Sequence, residues 1–211
     1  ELKWKTLSEL KIDDCAVLQG NIDYNSSQDI LNEDYSKILG CYISKGWCAT
    51  QKNFTKIGFN NTDKEYFDSY CNSLKNLYTN IPNIQQQILP SGKQLYTIEI
   101  CDTNSKTDLF NHGIENLKSA HKKIPDSVWK ANKNNQRIFL QYLFTGDGSI
   151  SFSQKTSSIV IYYVSISQQL LQDLQKLILM SFNIVSSITE VKTSKAGEKR
   201  LTIVGIKNCT E

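Results

Sequence analysis

A mixed α+β fold made of two pseudo-symmetric repeats is what this sequence predicts, and three observations carry the prediction. Stretches with apolar residues at helical spacing alternate with short runs in which apolar and polar residues take turns, so helices and antiparallel strand pairs must share a core. The order helix, two strands, helix, two strands, helix is met once and then starts again, the pattern of an αββαββα unit used twice. Two of the helical stretches, about a hundred residues apart, end alike, with small residues, a charged residue and a glycine near the last turn.

In order, Leu31 to Ser44 has Leu31, Tyr35, Ile38, Leu39, Tyr42 and Ile43 on one face, and Gly46 can end that helix. Trp47 to Asn60 reads as a hairpin. Thr62-Asp63-Lys64-Glu65 then caps a helix whose apolar face is Tyr66, Phe67, Tyr70, Cys71, Leu74 and Leu77. Ile84 to Cys101 alternates on either side of a turn at Pro90-Ser91-Gly92-Lys93, and a third helix is expected from about Lys106 to Ala120. The second repeat predicts a helix from about Asn135 to Gly146, a hairpin over Gly148 to Ser167, a helix over Gln168 to Ser181, and a hairpin over Ile184 to Ile206. The expected organisation is therefore 1–30 outside the repeats, a first half at 31–125 and a second at 126–211, within one monomer.

Composition bounds the function. An apolar content of 39% with ten tyrosines and eight phenylalanines is enough for a core, while a formal charge of +3 permits nucleic-acid binding without arguing for it. Six cysteines with no C-x-x-C pair argue against a zinc site or a disulfide framework, and predict free thiols in a reducing, intracellular compartment. His112 and His121 lack metal-ligand spacing. No apolar run approaches the roughly 18 residues that span a bilayer, so no membrane role is expected.

The two motif segments are Ile38-Leu39-Gly40-Cys41-Tyr42-Ile43-Ser44-Lys45-Gly46-Trp47 and Phe139-Leu140-Gln141-Tyr142-Leu143-Phe144-Thr145-Gly146-Asp147-Gly148. They resemble the paired LAGLIDADG motifs of the dodecapeptide homing endonucleases, the DNA-cutting domains lodged inside inteins. Lys122-Lys123-Ile124-Pro125 resembles the family's Lys-x-Ile-Pro block, and Ser167 to Leu179 followed by Phe182-Asn183-Ile184 the helix and strand entry common after the second motif. The resemblance spans Leu31 to Ile206, and Trp4 to Asp14 resembles the trailing edge of an intein splicing domain. No splicing nucleophile, Thr-x-x-His block or terminal His-Asn block accompanies it, so splicing by this chain alone is not expected.

That resemblance implies a LAGLIDADG homing-endonuclease fold, binding to a long asymmetric double-stranded DNA site, and Mg²⁺-dependent hydrolysis of both strands, with Mn²⁺ as a substitute. It implies that the motif helices pack side by side through Gly40, Ser44 and Gly146, and that one acid from each holds metal. Asp147 supplies such an acid, with Gly146 and Gly46 beside the metal, but Lys45 stands where the other belongs, so double-strand cleavage is expected to be impaired. Lys122 is implied as the lysine that polarises the phosphate or positions water, and Lys199 or Arg200 as its counterpart. Hairpin cations, namely Lys52, Lys56, Lys93, Lys155, Lys192, Lys195 and Arg200, are the candidate DNA contacts, because a two-stranded ribbon fits the major groove. The alternatives are a protein that binds DNA without cutting, a maturase-like RNA binder, and a structural insert.

Overall fold

The computed structural model describes residues 3–12, 14, 31–51, 54–80, 82–153, 158–191 and 197–204. The helices are α1 (Glu33–Lys45), α2 (Lys64–Leu77), α3 (Thr103–Asn111), α4 (Asp126–Lys130), α5 (Lys133–Asp147) and α6 (Gln168–Phe182). The strands are β1 (Gly46–Gln51), β2 (Phe54–Asn61), β3 (Gln85–Ile88), β4 (Gln94–Ile100), β5 (Gly148–Ser153), β6 (Ser158–Ser165), β7 (Ser187–Glu190) and β8 (Lys199–Val204). They form two four-stranded antiparallel sheets of identical topology, β1-β2-β4-β3 and β5-β6-β8-β7.

Local chemistry sets the helix starts. Asn32, Asp63, Asn132 and Ser167 each precede a helix, and each side chain accepts the backbone N–H three residues on, satisfying one orphan donor of the first turn. At the other end of α6, Asn183 takes a left-handed conformation (φ 56°), which its short amide side chain tolerates. In the first sheet Gly46 pairs with Phe59 and Phe59 with Ile98; in the second Gly148 pairs with Tyr163 and Tyr163 with Leu201. The two registers are thus equivalent. Phe59, Ile98, Tyr163 and Leu201 all point inward and are fully or almost fully buried beneath the helices.

The third helix departs from expectation. It spans Thr103–Asn111 and stops at His112, after which Gly113 adopts φ +113°. A side chain there would be strained and would run into Pro125, so the chain turns although the apolar spacing continues into Ile114, which is buried in the core. Residues 114–118 are coil, Ser119–His121 is one 3₁₀ turn, and α4 was not anticipated. A third helix for the second repeat falls outside the described residues.

Residues 3–12 form an exposed strap. Thr6 and Glu9 make a reciprocal capping box around a single 3₁₀ turn, and Trp4, Leu7 and Ile12 are exposed. Among the described residues no helix is long and apolar enough to cross a membrane.

Candidate nucleic-acid interface and its centre

The longest contact between the repeats is α1 against α5. Small residues set its closeness: a Cβ on Gly40 would lie 2.6 Å from the Phe139 carbonyl oxygen and 2.9 Å from the Tyr142 Cβ, and one on Gly146 would fall into the Ser44 side chain. Tyr66 locks the joint from beneath, donating to the Tyr142 carbonyl at 2.6 Å and sharing a 3.0 Å hydrogen bond with Ser44 Oγ. Tyr142, bulky where the motif is often small, packs over Gly40 and stacks on Tyr66 at a centroid distance of 6.1 Å.

Because both helices end at this contact, Lys45 and Asp147 meet, and the Lys45 ammonium forms an ion pair with Asp147 Oδ1. Their side chains are 41% and 28% exposed, so the pair opens to solvent. Lys122 approaches from the long connection after α3. Its ammonium donates to the carbonyls of Ile43 at 2.8 Å and Gly46 at 3.1 Å, with Tyr42 O at 3.4 Å, which places it on the C-terminal end of α1. Burial pulls the Lys122 pKa down to about 8; the Asp147 carboxylate opposes that fall and the Lys45 ammonium adds to it.

The electrostatics of this point follow from its backbone. Two helix C-termini converge, each presenting about half a negative charge, and Asp147 adds a full one. Positive charge is therefore required there, and the chain supplies it twice, through Lys45 and Lys122. A divalent ion fits this donor set poorly. Asp147 is the one carboxylate at the helix ends, the Ile43 and Gly46 carbonyls already accept from Lys122, and an ammonium a few ångström from a doubly charged ion repels it by several kcal/mol at an effective dielectric of about 20. Among the described residues no group of three or more His, Cys, Asp or Glu side chains could hold a metal. Gly146, a candidate for the metal's surroundings, serves as the contact point for Ser44.

Lys199 begins β8, opposite Ser165, and donates to Gln168 Oε1 at 2.8 Å at the start of α6. Of the candidate DNA contacts, Lys56 is tied to Glu99 across β2 and β4 at 2.8 Å, Lys93 is exposed beside the β3–β4 turn, and the Arg200 guanidinium lies 4.7 Å over the Tyr162 ring. Lys52, Lys155, Lys192 and Lys195 lie outside the described residues.

Strand parity completes the surface. With Ile57, Phe59, Ile98 and Ile100 buried beneath the first sheet, its opposite face presents Trp47, Lys56, Asn60, Gln85, Gln87 and Glu99. In the second sheet, where Tyr163 and Leu201 are buried, the opposite face presents Ser149, Ser151, Tyr162, Thr189 and Arg200. Amides, hydroxyls and one stacked guanidinium can exchange hydrogen bonds with base edges and phosphates. Asn60, Gln85 and Gln87 share this face with Lys56, a placement that alternation with the buried strand residues fixes and lysine content does not mark.

An apolar groove of about 610 Å³ lies on the other side of α5, lined by Leu140, Phe144, Ile150, Ile161, Phe182 and Ile203 among others. It contains none of Lys45, Lys122 and Asp147. The matching surface of α1 is covered: Tyr35 donates to Asp108 of α3 and Tyr42 to the Glu115 carbonyl.

Two sheets of this topology, carried on a pair of touching helices whose last turns bear the charged residues, make the LAGLIDADG homing-endonuclease fold. Residues 134–210 match the family described as LAGLIDADG-like domain. The chain is 29% identical over 192 residues to a DNA gyrase subunit of Mycobacterium kansasii, covering 88% of this chain and 33% of that protein. It is 26% identical over 188 residues to the replicative DNA helicase DnaB of Synechocystis, covering 83% of this chain and 20% of the helicase. The chain thus spans a third or less of the length of these two relatives. Among solved structures it is similar to the homing endonuclease I-WcaI bound to its DNA recognition sequence, with TM-score 0.58, 16% identity, and coverage of 85% of this chain and 79% of that one. It is similar also to I-DmoI in complex with DNA and Mn, with TM-score 0.54, 12% identity, and coverage of 81% and 89%. At these identities the structural likeness is one of fold.

Proposed function

We propose that this chain is the endonuclease portion of an intein: a monomer that recognises a long asymmetric stretch of double-stranded DNA and, with Lys45 in place of a metal-holding acid, binds that site without completing a double-strand break. The observation that carries the reading is the Lys45–Asp147 ion pair at the touching ends of α1 and α5, from which β1 and β5 lead straight into the two sheets. In a competent enzyme of this class, two carboxylates at that point would hold the cations that activate water and stabilise the leaving oxygen. Here an ammonium neutralises the carboxylate that remains.

The intein assignment draws support from the relatives. One and the same stretch of chain is similar to parts of a gyrase and of a replicative helicase, and a segment shared by two otherwise different proteins is what an inserted element produces. Residues 1–30 are read as the edge of a splicing domain, 31–125 and 126–211 as the two halves of the nuclease. The exposure of Trp4, Leu7 and Ile12 suits an edge whose larger partner lies elsewhere in a longer polypeptide.

The test is a supercoiled plasmid carrying the uninterrupted insertion locus of the host gene, incubated in Mg²⁺ and in Mn²⁺ with this chain and with Lys45→Glu. The expected result is an intact or singly nicked plasmid with this chain and a linear one with Lys45→Glu. If neither protein binds or cuts the plasmid, the reading fails and a structural insert takes its place.

A further inference from the structure

The convergence of α1 and α5 creates a demand for positive charge that this chain meets from its own side chains. Asp147 lies at the C-terminal end of α5, where the helix dipole disfavours an anion, and Lys45 occupies the last turn of α1, where the dipole favours a cation. Their ion pair joins the two repeats at their ends. Lys122 uses the carbonyls of Ile43 and Gly46, oxygens that could otherwise have turned toward a metal ion. The two ammonium groups offset Asp147 and the two helix ends, which together carry about two negative charges, and the Lys45–Asp147 pair is open to solvent where the two sheets begin. Without that offset the point would repel phosphate; with it, a solvent-facing ammonium can meet one.

We propose that Lys45 is a tethered replacement for a divalent cation: its ammonium neutralises Asp147 and, together with Lys122, offers fixed positive charge to the backbone phosphates at the middle of a bound duplex, so that DNA binding by this chain is independent of divalent metal. The proposal rests on the DNA-binding reading above and adds the ligand, phosphate, and the reason the metal is dispensable. A mobile ion that joins the complex makes affinity depend on its concentration, whereas a covalently attached ammonium does not.

Two measurements test it, chosen so that their failures differ. In the first, a randomised pool of duplex DNA is selected against the intact chain in EDTA, and the affinity of the selected duplex is measured in EDTA and in Ca²⁺ for the chain and for Lys45→Glu. The chain should change by less than about twofold between the two conditions; Lys45→Glu, which puts two carboxylates side by side, should bind about tenfold or more weakly in EDTA and regain affinity in Ca²⁺. An affinity of the unaltered chain that rises about tenfold with Ca²⁺ overturns the proposal. In the second, Mn²⁺ is titrated onto each free protein and followed by its paramagnetic resonance signal. The chain should leave the Mn²⁺ free and Lys45→Glu should take it up; Mn²⁺ bound by the chain through Asp147, abolished by Asp147→Asn, overturns the proposal without any DNA present. Failure of the selection to enrich any duplex removes the DNA-binding reading and this inference with it, while the Mn²⁺ titration separately decides whether Lys45 excludes metal.

Discussion

Gly146 of α5 packs directly on the side chain of Ser44 in α1, so the last turns of the two motif helices touch with nothing between them. One turn or so earlier, Gly40 of α1 lies against the Phe139 carbonyl of α5. The two contacts set how closely Lys45 and Asp147 approach, and neither can yield without moving a helix. A Cβ at Gly146 meets the Ser44 Cβ at 2.6 Å, an atom fixed to the α1 backbone, and the Tyr66 hydroxyl at 2.8 Å; a Cβ at Gly40 meets the Phe139 carbonyl oxygen at 2.6 Å. Alanine gains about 1 kcal/mol of helix propensity over glycine, while overpacking costs about 1–3 kcal/mol. Gly40→Ala and Gly146→Ala are therefore each expected to lower the melting temperature by several degrees, since about 1 kcal/mol corresponds to about 2–4 °C at this size. Thermal unfolding followed by circular dichroism reads both; equal melting points for Gly40→Ala and the unaltered chain would show that the helices have room to spare.

A second prediction concerns the anchoring of α3. Asp108 Oδ2 accepts from both the Tyr35 and the Tyr78 hydroxyls, each at 2.6 Å, and the Tyr35 ring stacks on His112 at 3.7 Å. Burial, followed by its own hydrogen bond to Asp108 and that carboxylate's charge, raises the Tyr35 pKa to about 12. Asp108→Ala leaves two part-buried hydroxyls without this acceptor and is expected to cost about 2–4 kcal/mol, at about 1–3 kcal/mol for each group left unsatisfied. Asp108→Asn keeps one acceptor oxygen and should cost less. Urea midpoints at constant slope give the comparison, and an alanine variant no weaker than the asparagine one would contradict it.

How much of this was legible beforehand depended on how local the cause was. The start of α2 at Asp63 could be read because its capping residues and apolar period lie within a few positions of it, whereas the meeting of Lys45 with Asp147, about a hundred residues apart, was implied by the likeness of the two motif segments to a known pair. The third helix was read too long because Ile114 and Leu117 continue a helical spacing while Gly113 turns the backbone against Pro125, a contact made twelve residues on. The seat of Lys122 on the carbonyls of Ile43 and Gly46, nearly eighty residues away in sequence, leaves no local trace; only its family-like Ile-Pro context marked it. The face of Asn60, Gln85 and Gln87 needed the strand register, which alternation fixes only when the buried partners are known.

Lys122 also makes stability depend on pH in a defined direction. Its pKa falls from 10.5 to about 8 on folding because burial disfavours its charge. Below about pH 8 the lysine is charged in both states and contributes no slope. Between about 8 and 10.5 the unfolded chain holds the extra proton, so stability rises with pH across that window. The expected rise is at most about 3 kcal/mol. Other groups titrate in the same range, so the reading is the difference between the unaltered chain and Lys122→Met, measured by denaturant unfolding from pH 7 to 10.5. A difference that stays flat over this window would contradict the buried, charged seat. At pH 7 itself the methionine variant loses the donors to Ile43 and Gly46 and is expected to be weaker by about 1–3 kcal/mol.

The last prediction separates two cations that both stand on the outer sheet faces. The Arg200 guanidinium rests over Tyr162 and keeps its hydrogen-bonding edge available, whereas Lys56 already donates to Glu99. An arginine held flat by a ring gives up little freedom when it reaches a phosphate, while Lys56 must first leave a carboxylate. For a duplex bound as proposed, Arg200→Ala is expected to weaken binding about tenfold and to reduce the slope of log affinity against log salt by about 1, one phosphate contact fewer. Lys56→Ala should change that slope by less than half as much. Glu99→Gln frees Lys56 and should steepen it. Affinity measured across a salt series for all three variants reads the outcome; if Lys56→Ala lowers the slope as far as Arg200→Ala does, the Lys56–Glu99 pair does not persist on DNA, and the first sheet meets the backbone as strongly as the second.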